Sequence, residues 1–249
     1  MAATPAWPPR SAPRLFVEHE LGSGVRISLE GSQANYLARV MRVTPGDAVI
    51  LCDDRTGEWA ARVIEAGKRA VVLELVERLR PREQVPDFWL CPALLKKDRF
   101  DQVLEKATEL GVARIQPVIT RRCIADKLNL ARARTITSEA AEQCVRTALP
   151  QLAEPARLDT MLRNWPTDRT LFFADETGGV PAAVAYAASQ GPVALLIGPE
   201  GGFDLAEREM LRAHQQVKPI ALGPRILRGE TAAIAATALW MGVQGDWSN

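Results

Sequence analysis

The sequence predicts an α/β protein in two parts: a small β-rich N-terminal domain, then a larger domain built on a mostly parallel sheet. Three observations carry this reading. Between Arg14 and about Leu79, short β-type runs alternate with turn residues. From Asp87 the rhythm changes to strand–helix–strand, the pattern of a parallel sheet covered by helices. Three of the later strands end in loops carrying glycines and charged residues, at the edge where such sheets hold ligands.

The chain opens with MAATPAWPPRSAPR, rich in Pro and Ala and without an apolar core segment, so residues 1–13 read as a flexible tail and not as a signal peptide. The first domain, 14–80, contains the runs RLFVE, GVRISLE, DAVILCD, EWAARVIEAG and AVVLELVERL. Gly22 and Gly24, Pro45-Gly46-Asp47, Thr56-Gly57 and Gly67-Lys68 separate them. GSQANYLARVMR breaks the rhythm: Leu37, Val40 and Met41 recur at helical spacing after Ser32, a residue able to cap a helix start. Short strands at this spacing with one helix predict a small β-barrel. RLRPREQVPD, with two prolines and alternating charge, reads as the way out, and 81–87 as a linker.

The second domain, 88–249, starts with the buried-strand run DFWLCPALL. Asp98 then stands as an N-cap, Phe100, Val103, Leu104, Ala107 and Leu110 form one helical face, and Gly111 closes the helix. VARIQPVI reads as a strand and Asn129 to Leu149 as a helix. TLFFAD, PAAVAYAAS, PVALLIG, LAEREMLRAHQ, PIALG and TAAIAATALWMG then alternate strand and helix.

Composition narrows the function classes. The longest apolar runs, such as PVALLI and AVVLELV, are far too short to span a bilayer. Cys52, Cys91, Cys123 and Cys144 lack metal-ligand spacing, and only His19 and His214 could join them, which argues against a metal site or a disulfide framework and for a reducing cytoplasm. Formal net charge is +1, yet between Lys96 and Arg134 stand ten Lys or Arg against five acids. That surplus is either a phosphate-facing patch or a solvated helix face laced with ion pairs.

The strand-end loops hold the chemistry. After TLFFAD comes Glu176-Thr177-Gly178-Gly179, after PVALLI comes Gly198-Pro199-Glu200-Gly201-Gly202, and after PIALG comes Pro224 through Ala233. GPEGG lacks the lysine and the Ser or Thr of a phosphate-binding P-loop, and GxGxxG is absent. It suits a small ligand with hydrogen-bond donors or positive charge, or else a tight turn with Asp204 capping the next helix. In LGPRILRGETA, Ile226 and Leu227 sit in a loop between Pro224 and Gly229, either tucked beneath it or lining a pocket for a flat ligand.

IGPEGGFDLAERE followed by LGPRILRGETAAIAA resembles the cofactor motifs of SPOUT-class RNA methyltransferases. Within that class the chain is most similar to the ribosomal RNA small subunit methyltransferase E family, which methylates N3 of one uridine in 16S rRNA. KKDRFDQVLEKATELGVARIQPVITRR, AAEQCVRTALPQL and RLFVE…YLARVMRVTPGD extend the resemblance from Arg14 to about Gly242. It implies a PUA-like RNA-binding β-barrel joined to a SPOUT-type parallel sheet whose C-terminal part forms a trefoil knot. It also implies S-adenosyl-L-methionine as cofactor, 16S rRNA or the small ribosomal subunit as partner, a homodimer, a cytoplasmic location and neither metal nor membrane. The adenosine pocket it implies comprises Leu196, Ile197, Gly198, Leu222, Gly223, Ile226, Leu227 and Thr231, with Glu176, Glu200 and Gly201 at the same site. A SPOUT enzyme acting on tRNA or a ribose 2′-hydroxyl, and a non-catalytic RNA-binding module, are the rival readings.

Uridine N3 must lose its proton to attack a methyl group, so such a site needs a base or a cation that steadies the anion. Glu230 is the candidate acceptor, and Arg228 or Arg146 the candidate cation. Glu142, Gln143 and Arg146 fall at i, i+1 and i+4 of the expected helix, either facing a uracil edge or forming an ion-paired surface. Lys96, Lys97, Arg99, Arg121 and Arg122 are the residues expected to meet rRNA phosphates.

Overall fold

A computed structural model describes residues 7–248, so part of the expected tail, residues 1–6, lies outside the described residues. The chain forms two compact units, the first running to Gln84 and taking in Ala141–Leu149, the second comprising the rest.

In the first unit, β1 (Arg14–Phe16), β2 (Arg26–Glu30), β3 (Ala48–Cys52), β4 (Glu58–Ala66) and β5 (Ala70–Arg80) are the five expected runs. They pair in the order β1-β3-β4-β5-β2, parallel at β1–β3 and antiparallel elsewhere. Alternation in β2 buries Ile27 and Leu29 against Leu51, Val63, Leu73 and Leu75. Trp7, just before the strands, lies 5.2 Å beneath the Arg62 guanidinium.

The helical insert departs from expectation. α1 (Gly31–Asn35) starts after Glu30, so Ser32 stands inside its first turn and caps nothing. Tyr36–Val40 then widens into a π-turn, with the Met41 N–H bonded to the Tyr36 carbonyl at 3.0 Å. The extra residue in that turn rotates the face: Leu37 is buried, while Val40 and Met41 point outward.

Residues 141–149 join this unit through backbone hydrogen bonds to acidic side chains. Glu83 Oε1 accepts from Thr147 and Ala148, and Asp54 Oδ1 accepts from Leu149.

In the second unit the elements follow as β6 (Phe88–Pro92), α2 (Lys97–Glu109), β7 (Arg114–Ile115), β8 (Val118–Ile119) and α3 (Leu130–Gln143). Then come β9 (Gln151–Leu152), β10 (Ala156–Arg157), α4 (Leu158–Arg163), β11 (Thr170–Ala174), β12 (Val180–Pro181) and α5 (Ala182–Ala187). β13 (Val193–Ile197), α6 (Leu205–Ala213), β14 (Val217–Ala221) and α7 (Gly229–Val243) complete it. The main sheet is parallel throughout, in the order β12-β14-β11-β13-β6-β7-β9. Strand alternation gives it two buried faces. Phe88, Leu90, Phe172, Leu195 and Ile197 pack under α2, α5 and α7, while Phe173, Ala194 and Leu196 pack under α4 and α6.

Local differences have local causes. The N-cap of α2 is Lys96, and Asp98 sits in the first turn, where its charge still faces the positive end of the helix. Pro117, which has no N–H to donate, divides VARIQPVI into β7 and β8, and β8 pairs with β10 in a separate two-stranded sheet. β9, β10 and β12 are two residues each, too short to show a period in sequence.

Candidate functional site

β13, β11 and β14 are neighbours, with β11 in the middle, and their carboxyl ends point the same way because the sheet is parallel. The three loops singled out in sequence therefore meet, around a cavity of about 310 Å³ within the second unit. Glu176, Ile197, Gly198, Glu200, Leu222, Gly223, Ile226, Leu227 and Arg228 all line it. Leu196, Gly201 and Thr231 do not. Leu196 alternates away from Ile197 into the opposite core, Gly201 faces Arg122, and Thr231 is exposed on α7.

The loops hold their shape for identifiable reasons. Asp204 is the N-cap of α6, and with Glu207 forms a reciprocal capping box: Glu207 N–H to Asp204 Oδ1 at 2.7 Å, and Asp204 N–H to Glu207 Oε2 at 3.2 Å. The Glu207 N–H, and then the Arg121 guanidinium, hold the Asp204 carboxyl below the usual carboxylate range. Gly202 takes φ +65, and a Cβ there would come within 3.0 Å of Glu176 Oε1. Gly223 takes φ +114, which a side chain would strain.

Charge is arranged unevenly around the cavity. Arg208 Nη2 meets Glu176 Oε1 at 2.9 Å and its Nε lies 3.4 Å from Asp175 Oδ1, while Arg212 Nη2 meets Asp175 Oδ2 at 2.7 Å. Burial pushes the Asp175 carboxyl up, but the Thr177 N–H and hydroxyl and both arginines outweigh it and hold the group below the usual range. Glu200 is the lining carboxylate that has no cation partner among the described residues. Ile226 is 87% exposed at the rim, so its side chain adds little to the folded core.

The catalytic candidates fall in different units. Arg228 is the N-cap of α7 and lines the cavity, and Glu230 follows in the first turn of the same helix. Glu230 Oε1 accepts from Arg99 at 3.1 Å, and its other oxygen is buried without a hydrogen bond. Arg146 is not on a helix face with Glu142 and Gln143: α3 ends at Gln143, and Val145 turns the chain with φ +65. Burial lowers the Arg146 pKa and nearby Glu83, 3.8 Å away, opposes that shift. Glu142 accepts the Phe16 N–H at 2.7 Å, and Gln143 is exposed. All three lie in the segment that belongs to the first unit.

Of the basic residues expected at phosphates, Lys96 and Lys97 are exposed, and neither has an ion pair among the described residues. Arg99 is engaged by Glu230, Arg121 by Asp204 and Glu207, and Arg122 by the Gly201 carbonyl. Lining residues that sequence reasoning passed over include Asp175, Phe203 and Arg208. Asp175 follows β11 directly and was within reach of the strand-end rule. Arg208 carries no local signal, since its partners come from a loop about 30 residues earlier. No cluster of three or more His, Cys, Asp or Glu able to hold a metal exists among the described residues, and none of their helices is long and apolar enough to cross a membrane.

The family model described as RNA methyltransferase domain matches residues 82–241, and that described as RNA methyltransferase PUA domain matches 29–76. Proteins named ribosomal RNA small subunit methyltransferase E are similar over most of their length. The one from Synechocystis is 31% identical, covering 90% of this chain and 76% of the relative, and the one from Rickettsia conorii is 29% identical, covering 90% and 93%. The crystal structure of ribosomal RNA small subunit methyltransferase E from Neisseria gonorrhoeae bound to S-adenosyl methionine superposes with a TM-score of 0.87 at 29% identity, over 95% of this chain and 99% of that one. The chain carries both the methyltransferase domain and the PUA domain of these enzymes, and it belongs to the RNA methyltransferase family whose members include ribosomal RNA small subunit methyltransferase E.

Proposed function

We propose that this protein methylates N3 of a uridine in 16S rRNA, using S-adenosyl-L-methionine bound in the cavity between the β11, β13 and β14 loops. The observation that carries the reading is the composition of that cavity. Ile197, Leu222, Ile226 and Leu227 offer apolar walls for a flat base, glycine backbone allows close approach, and unpaired Glu200 favours a cationic ligand. A lysine in place of Glu200 would repel the sulfonium. The volume, about 310 Å³, is at the lower end of the range for small-molecule sites.

When bound, the cofactor supplies an electrophilic methyl group. The chain's own residues supply alignment and the handling of one proton. Glu230, with one oxygen held by Arg99 and the other unpartnered, accepts the uridine N3 proton. Arg228, exposed at the start of α7, stabilises the uridine anion. Arg146, buried beside Glu83 in the first unit, has the surroundings of a structural cation.

RNA binding is shared between the units. In the second, Lys96 and Lys97 are free to meet phosphates. In the first, the π-turn exposes Tyr36, Val40 and Met41 beside Arg39 and Arg42, neither of which has an ion pair among the described residues. An aromatic ring with two free guanidiniums suits stacked bases and their phosphates.

Finer points of architecture follow the same reading. The five-stranded sheet closes as a PUA-like barrel, supported by the register shifts that bend long β4 against β5. The C-terminal segment threads a trefoil knot, supported by Gly229: a Cβ there would lie 3.4 Å from the Gly198 carbonyl, so the start of α7 presses against the loop after β13. The protein is a homodimer joined through α7, whose outward residues Ala235, Leu239 and Gly242 are apolar or small. Four free cysteines suit a reducing cytoplasm. Mass spectrometry of 16S rRNA from cells with and without the gene tests the activity. Loss of one methyluridine is expected, and an unchanged 16S rRNA with a missing methyl in tRNA would redirect the assignment.

A further inference from the structure

The basic turn that follows β8 is bound to the glycine loop from outside the cavity. Arg122 Nη1 donates to the Gly201 carbonyl at 2.7 Å. A Cβ on Gly201 would meet Arg122 Cβ at 3.4 Å and Cδ at 3.5 Å, so the loop backbone lies along the arginine's stem. One residue earlier, the Arg121 N–H donates to Glu207 Oε1 at 2.7 Å and its guanidinium to Asp204 Oδ2 at 2.9 Å. Arg121 therefore grips the capping box that starts α6, and Arg122 grips the first glycine of the Gly-Gly pair in GPEGG, across 79 residues of sequence. Glu200 and Gly202, on either side of the held carbonyl, both line the cavity.

Two adjacent glycines leave this loop with more backbone freedom than any other pair of residues would. Each residue fixed on binding costs conformational entropy, so a loop already held in shape binds more tightly than one that must be ordered. No side chain of Gly201 can supply that restraint, and Arg122 does.

We propose that Arg122 is a positioning residue for the cofactor pocket: its bond to the Gly201 carbonyl holds the Glu200–Gly202 turn ready for the ligand. Contact with RNA phosphate is not its role. The inference rests on reading the cavity as the S-adenosylmethionine site. Arg122 is exposed, so its loss leaves the core untouched.

Calorimetry with S-adenosylhomocysteine on the full chain tests this, alongside thermal unfolding and the salt dependence of binding to a 16S rRNA oligonucleotide. Arg122→Ala is expected to weaken S-adenosylhomocysteine about fivefold, the worth of one ordinary hydrogen bond. The melting temperature and the salt slope should stay at wild-type values, and Arg122→Lys, which keeps a donor, should recover most of the affinity. Wild-type cofactor affinity in Arg122→Ala together with a shallower salt slope overturns the proposal and returns Arg122 to the RNA. A lowered melting temperature in both variants overturns it in favour of a general structural role. Failure of the wild-type protein to bind S-adenosylhomocysteine overturns the pocket reading itself, a result distinct from wild-type binding with an unaffected variant.

Discussion

Ile226 offers the sharpest test of the pocket, because its role in folding and its role in binding can be separated. The side chain is 87% exposed, so truncating it to alanine removes almost no buried surface from the folded protein. Folding stability should stay within about 0.5 kcal/mol, or about 2 °C in melting temperature for a chain of this size. Binding is another matter. Ile226→Ala deletes roughly three carbons, and at about 0.8 kcal/mol per buried carbon, full cover by a ligand would be worth about 2 kcal/mol. Cover of half the side chain would be worth about 1 kcal/mol, so S-adenosylhomocysteine should bind about 5- to 30-fold more weakly. Titration calorimetry reads the affinity, and differential scanning fluorimetry reads the stability. Leu227→Ala is the companion measurement, since Leu227 packs partly against the core and should lose stability and affinity together. Affinity within twofold of wild type in Ile226→Ala would refute the argument that its exposure marks the ligand site. A fall of several degrees in melting temperature would show that the side chain is packed in solution.

Other consequences follow from named groups. Glu230→Gln keeps the shape and removes the proton acceptor, so turnover should fall about 100-fold with cofactor affinity within a few fold; loss of cofactor binding in calorimetry would make Glu230 structural. Asp175 titrates below its unfolded value, so its contribution is present above the unfolded pKa and is lost as pH falls through the folded one. Stability should therefore decline below about pH 4, and Asp175→Asn should flatten that decline in unfolding curves taken across the acid range. Arg39→Ala combined with Arg42→Ala should lower the slope of log affinity against log salt for RNA by about 1.5, the value for two phosphate contacts on single strands; an unchanged slope would remove the π-turn from the RNA surface.

The strand-end loops, the long elements and the capping box at Asp204 are legible in sequence because each is set by local chemistry. β11, β13 and β14 are apolar runs bounded by glycine or acids, and Asp204 with Glu207 has the spacing of a reciprocal cap. The helix expected from Asn129 to Leu149 shows where local reading stops. Its second half has helical composition, but Glu83 and Asp54, distant in sequence, capture the N–H groups of Thr147, Ala148 and Leu149 and hold them out of a helix. Likewise a π-turn cannot be told from an α-turn by apolar spacing, so the helical spacing of Val40 and Met41 with Leu37 does not reveal that they are exposed.

What the sequence determined by itself is the alternation of strands and helices, the placing of three chemically loaded loops at strand ends, and the character of the ligand they suit. Those follow from periodicity and from the chemistry of single residues. Only the tertiary structure decided which charges remain available. Of five basic residues in the segment read as phosphate-facing, the side chains of Arg99, Arg121 and Arg122 are drawn to Glu230, to Asp204 and to the Gly201 carbonyl. The two arginines of α6 neutralise Asp175 and Glu176, while Glu200 is left uncompensated at the cavity. A charge has no direction in a sequence; its partner is chosen by distances of a few ångströms between segments 32 to 131 residues apart, and those distances exist only once the sheet has brought its strand ends together.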